Sequence, residues 1–179
     1  TSSDYNNKKI LIIGLGNWNI SSDSLGPKVV ERILVTRQYF INFNKEFDET
    51  MANVAAISPG VMGITGIETF DIVKGIVDKI QPDILIAIDA LSSRKMDRVS
   101  TTIQLSNTGI NPGSGIGNIR MGLTEDTLGI PVVAIGIPTV VNAATMVNDT
   151  MDLIIKSLKE QAEKGGEFYN LLDKLSKDE

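Results

Sequence analysis

The chain has 179 residues, 42% of them hydrophobic and 22% charged, which allows one globular domain with a sizeable buried core. A net charge of -5 argues against nucleic acid or an anionic membrane surface as a direct partner, since both call for a basic face. Cysteine and histidine are absent. That excludes disulfides, thiolate nucleophiles, a Ser-His-Asp triad and an HExxH zinc site, leaving carboxylates, Lys, Tyr and water for acid–base chemistry.

No run approaches the roughly 20 apolar residues that span a bilayer. The opening TSSDYNNKK lacks the apolar core of a secretory signal, so a cytoplasmic protein is expected. Because the chain begins with Thr, it reads as a processed form or the ordered part of something longer.

In chain order, Ile10 to Gly16 is short, β-branched and closed by glycine, which predicts a buried parallel strand. Leu25, Val29, Val30, Ile33, Leu34 and Phe40 recur at helical spacing with Pro27 near the start, predicting a helix over 24–40. A second strand is expected over Val54 to Ile57, ending at the Pro59-Gly60 turn. Apolar residues from Ile72 to Ile80 then predict a helix over 68–80, stopped by Pro82.

Ile84 to Asp89 is the third buried strand, and Thr101 to Leu105 an exposed edge strand. Asn107 to Asn118, rich in Gly, Asn, Ser and Pro, is expected to form a long functional loop. Val132 to Gly136 is a further strand, with Thr139 capping a helix that runs to about Lys159. The alternation predicts an α/β fold, a sandwich on a mostly parallel sheet. Residues 1–160 are read as a single α/β domain. Residues 161–179 are read as a C-terminal helical segment, with a stretch of chain missing near Gly165.

Ligands of open α/β sheets bind at the carboxyl ends of the strands, beside a topological switch point. The loops after the first, third and last strands meet that rule. The first carries Asp23, and the third strand ends on Asp89. Two carboxylates on one edge repel when both ionise, so one pKa should rise and a proton be shared. Such a pair can activate water and protonate a leaving amine. For Asp23 a helix cap is an equal explanation. Asp89, ending an apolar strand, must be hydrogen-bonded, paired or functional. Gly14 to Asn17 suggests a dinucleotide fingerprint only weakly, because Asn19 stands where GxGxxG needs glycine; a tight turn explains GLGN better. Lys28 and Lys95 are conceivable bases for a serine nucleophile, but Ser114 lies in PGSG rather than a GxSxG elbow.

Taken together, GLGN, SDSLGP, ISPGVMGITGIET, PDILIAIDAL, NPGSGIGN, TLGIPVVAIGIPTVV and NDT (Asn148 to Thr150) resemble the spore germination proteases, from about Ile10 to Leu158. The resemblance implies an atypical aspartic-type endopeptidase that degrades small acid-soluble spore proteins in the spore core. It also implies synthesis as a zymogen and a homotetramer. The implied fold is a three-layer α/β/α sandwich of the phosphorylase/hydrolase-like kind, shared with hydrogenase maturation endopeptidases. Asp23 and Asp89 match the family's two essential aspartates. Asn17, Gly60, Val61, Gly113 and Ser114 are candidates for substrate binding or an oxyanion site.

The family carries His where this chain has Asn111. Hydrogenase maturation relatives hold a metal with two acidic residues and a His, so no catalytic metal and no cofactor are expected here. Two carboxylates retain the capacity to hold a hard cation weakly. A metal-dependent maturation peptidase and a non-enzymatic nucleotide-binding module are the alternatives.

Overall fold

The computed structural model describes residues 8–42, 51–112, 121–162, 164 and 166–175. The apolar run after Lys8 forms β1 (Lys9–Gly14), and the other strands are β2 (Asn53–Ile57), β3 (Ile84–Ser93), β4 (Gln104–Ser106) and β5 (Val132–Val141). Among the described residues they make one sheet in the order β2-β1-β3-β5-β4. The pairs β1–β2, β1–β3 and β3–β5 are parallel, and β4 adds antiparallel to β5 as an edge. From β1 the chain steps outward to β2 and then returns to β3 on β1's other side. The loops after β1 and β3 therefore diverge, which is the switch point the sequence predicts.

Helices cover both faces of this sheet. Leu11 and Ile13 of β1 join Leu85 and Ala87 of β3 in the core, packed against Val73 and Val77 of α4 (Thr69–Ile80) and Leu128 of α5 (Glu125–Leu128). On the opposite face, a Cβ at Gly14 would meet the carbonyl oxygen of Gly26 at 2.2 Å and Val30 at 2.7 Å, both in α1 (Leu25–Arg32). Since alternate strand residues point to opposite faces, α1 and α4 lie on different sides. The result is the expected three-layer α/β/α sandwich.

Several elements depart from the sequence reading. The helix expected over 24–40 is two, α1 and α2 (Arg37–Asn42), because Ile33 turns to an extended conformation (φ -76°, ψ 134°). The cause is Thr36, whose hydroxyl donates to Ala52 O (2.5 Å) and accepts from Val54 N (2.8 Å), while its N–H donates to Val54 O (3.0 Å). Thr36 thus satisfies the open side of β2, and a continuous helix would leave those groups unpaired.

Short helices α3 (Met62–Thr65) and α5 have too few turns to show an apolar period, and the sequence reading missed both. The edge strand β4 begins later than expected, at Gln104. The expected loop over 107–118 is described only to Pro112, and within that part Ile110 bridges Leu123 in antiparallel fashion.

Strands β3 and β5 both run beyond their predicted ends at Asp89 and Gly136. Thr139 accordingly lies in β5 and caps nothing; α6 (Ala143–Gln161) starts from Asn142, whose side chain accepts from Ala144 N at 2.8 Å. The register between β3 and β5 shifts at this point. Leu91 pairs with Pro138 and Ser92 with Val140, which leaves Thr139 as the extra residue of a bulge. Proline before it supplies no ladder donor, so regular pairing has reason to break there. At the other end of the chain, α7 (Glu167–Leu175) docks on α6 through a Lys159–Asp173 ion pair of 3.0 Å.

At Gly26 the helix backbone touches the sheet directly. An added Cβ would stand 2.3 Å from Leu15 O and 2.6 Å from Ile88 O, and neither backbone atom can yield. Gly26→Ala should therefore lower stability by more than about 2 kcal/mol in urea unfolding. Gly75→Ala, in α4 with nothing within 4 Å of its Cβ position, is the control and should raise it by about 0.5–1 kcal/mol.

Candidate active site

Asp89 is the sixth residue of β3, on the same face as the core residues Leu85 and Ala87. Its pairing partner in β5 is Gly136, which brings no side chain beside it. On the other side, β1 has stopped pairing one residue earlier, at Gly14 opposite Ile88. The carboxylate thus stands where the apolar layer ends and the sheet opens. It is 8% exposed and accepts a hydrogen bond from Ala90 N (2.8 Å).

Asp23 arrives from the β1 side. Leu15 N donates to Ile88 O (2.8 Å), and Gly16 then turns the chain with φ +116°. A side chain at Gly16 would collide with Asp23 O at 2.0 Å, so glycine is required there. The segment closes in a single 3-10 turn, Ser21–Asp23, with Asn17 N donating to both Asp23 O (3.0 Å) and Asp23 Oδ2 (2.8 Å). This answers the capping alternative. The residue ahead of α1 is Ser24, which makes no side-chain cap bond, and the Asp23 carboxylate takes Asn17 N–H instead.

Both aspartates line one cavity of about 710 Å³ at the carboxyl edge of the sheet. Among the described residues of its lining they are the only ionisable groups; Asn17, Ser92, Asn111 and Thr139 are polar, and Leu15, Ile20, Val61, Leu91, Ile110 and Val140 make an apolar wall. Burial pushes the Asp89 pKa up to about 7; the Ala90 N–H opposes this and the Asp23 charge adds to it. Burial also raises the Asp23 pKa, against the lowering effect of Asn17 N–H. Asp89 therefore keeps a proton up to about pH 7, a state suited to giving one to a leaving group.

Of the other sequence candidates, Gly60 and Val61 line the cavity, Gly60 in the left-handed region at φ +76°. Asn17 lines it too, but its N–H serves Asp23, so its backbone orients the carboxylate rather than a substrate. The same bond weighs against a phosphate cradle in GLGN, because the loop's own aspartate occupies that donor. Gly113 and Ser114 lie outside the described residues. Lys28 and Lys95 do not line the cavity. Among the described residues, no cluster of three or more acidic side chains forms a metal site. Thr139 and Ser92 also line the cavity; both fall in the loops expected to follow the last and third strands, yet neither is singled out by the sequence, and the structure places them inside β5 and β3.

Fold and site define an α/β protein with a coupled pair of aspartates in a cavity at its sheet's switch point. The model of the germination protease family matches residues 3–175, and the chain belongs to that family, one of peptidases. A germination protease of Clostridium tetani is 55% identical over 169 residues, covering 94% of this chain and 52% of that protein. One of Bacillus cereus is 56% identical over 155 residues, covering 87% and 42%. The chain thus spans about half the length of the curated relatives it matches. Among solved structures, the NiFe hydrogenase maturation protease HycI of Thermococcus kodakarensis is similar with a TM-score of 0.42 and 14% identity, covering 86% of this chain and 95% of that one.

The raised Asp89 pKa has a consequence for stability. Between the ordinary value of 3.8 and about 7 the folded state binds more protons than the unfolded chain. Stability is then greatest below the unfolded pKa and falls as pH rises through the folded one. Asp23 contributes with the same sign. Urea melts from pH 4 to 8 should show this decline, and Asp89→Asn should flatten it. At pH 8 that variant should exceed the wild type by roughly 2–4 kcal/mol.

Proposed function

We propose that this chain carries the catalytic machinery of a germination protease, an aspartic-type endopeptidase that degrades small acid-soluble spore proteins through Asp23 and Asp89. The carrying observation is the electrostatic pairing of the two carboxyls in one cavity, with Asp89 at about 7 and Asp23 less buried. Family membership supports the peptidase activity, and the absence of His and Cys from the chain supports carboxylate chemistry.

In this reading Asp23 is the ionised base and Asp89 the protonated acid. Water between them gives a proton to Asp23 as its oxygen attacks the scissile carbonyl carbon. As the C–N bond breaks, Asp89 gives its proton to the leaving amine. Backbone N–H groups at Gly60 and Val61, which line the cavity, are assigned to the developing oxyanion, with Gly113 and Ser114 as further candidates. The peptidase unit is residues 1–160, with 161–179 as a C-terminal helical segment. The whole protein is a homotetramer made as a zymogen in the spore core, a reading that rests on the sequence resemblance.

Asp23→Asn and Asp89→Asn should each lower cleavage of a small acid-soluble spore protein by about a thousandfold or more with the fold intact by circular dichroism. Full activity in either variant would remove the dyad. The kcat/KM profile should be bell-shaped, rising with Asp23 ionisation and falling near pH 7 as Asp89 loses its proton. An alkaline limb that persists in Asp89→Asn would assign it to another group.

A further inference from the structure

The turn that carries Asp23 takes most of its hydrogen bonds from within itself. Ile20 N donates to Asn17 O, Asp23 N to Ile20 O and Ser24 Oγ to Ser21 O, all within the same short segment. These bonds fix the turn's shape but not its place against β3. Among the described residues, one hydrogen bond from outside residues 17–28 reaches residues 20–24. It is Thr139 Oγ1 donating to Ser22 O at 2.6 Å, across 117 residues of sequence.

Thr139 is also the unpaired residue of the β3–β5 bulge. A bulge releases a residue from the alternating pattern and re-aims its side chain. Its anchors are firm: Pro138 is fully buried, and its carbonyl accepts from Ser100 N at 2.7 Å. Because β5 pairs with β3 through Asp89 and Gly136, the strand holding the Asp23 turn is also the one registered against Asp89. Strand β5 thus spans the two halves of the pair.

We infer that Thr139, released from the ladder by the β5 bulge, is a positioning residue that holds the Asp23 turn at its working distance from Asp89. The functional consequence rests on the dyad reading above; the mechanical one does not. The turn remains attached at both ends, by the β1–β3 bond at Leu15 and by the Gly26 contact, so loss of the tether loosens Asp23 without unfolding the chain.

The test is Thr139→Val, nearly the same shape without the hydroxyl, with Thr139→Ser as the rescue. In Thr139→Val, kcat should fall about 10- to 100-fold with KM within about twofold of wild type. Carboxyl NMR titration should show the Asp89 pKa falling by about half a unit, since Asp23 no longer sits where its charge raises it. Asp23 is the one other ionisable group among the described residues lining the cavity, so the shift reports on that pair. Thr139→Ser should return both quantities to near wild type.

An unchanged Asp89 pKa and kcat in Thr139→Val would overturn the proposal, and so would a Thr139→Ser variant as impaired as the valine. Where Thr139→Val does not fold, Thr139→Ala is measured by the same two criteria. A fallen Asp89 pKa in a protein whose wild type cleaves no peptide would support the tether and overturn the dyad instead.

Discussion

At Gly14 and Gly26 the backbone of α1 lies against the backbones of β1 and β3 with no side chain between them. Much of the site follows from that approach. It sets the level at which β1 ends, and it allows Leu15 N to reach Ile88 O. The chain leaves β1 through Gly16 and returns to α1 at Leu25. Asp23 closes the intervening turn, its carbonyl and its carboxylate both accepting from Asn17 N. A helix kept at ordinary side-chain distance would carry the turn away from β3 and separate the carboxyls.

The electrostatics follow from the same geometry. Asp89 lies past the end of β1 and opposite a glycine, so it is shielded by protein yet faces open volume. Burial disfavours its charge, and Asp23 disfavours it further. The cavity lining offers no cation among the described residues to neutralise either group. A pair in that situation keeps a proton near neutral pH at a cost in stability. Such a cost is characteristic of a site arranged for chemistry rather than for holding the fold together.

Much of the architecture was legible in the chain itself. The β-branched runs at Ile10, Ile84 and Val132 can satisfy their apolar side chains on both faces only inside a covered parallel sheet, and the structure places them at its centre. The helical period from Ile72 to Ile80 became α4 almost residue for residue. Local pattern failed where a distant group took over. Thr36 left a helical period because the edge of β2 offered it three hydrogen bonds. Thr139 reads as a cap when the strand is ended at Gly136, whereas the bulge lets β5 continue through it.

The aspartates divide along the same line. Asp89 was conspicuous in sequence, because a carboxylate inside an apolar run has no bland explanation other than a partner. Asp23 in a turn before a helix had an ordinary one, and only the fold showed its carboxylate bonded to Asn17 N–H and facing Asp89's cavity. The sequence by itself determined the buried strands, the long helix α4 and the chemistry available, since these depend on residue type and period. Tertiary structure alone decided the placement of Asp23, the extension of β3 and β5, and the Thr139 tether. Those rest on backbone contacts and hydrogen bonds between segments up to 117 residues apart, which leave no periodic trace in the chain.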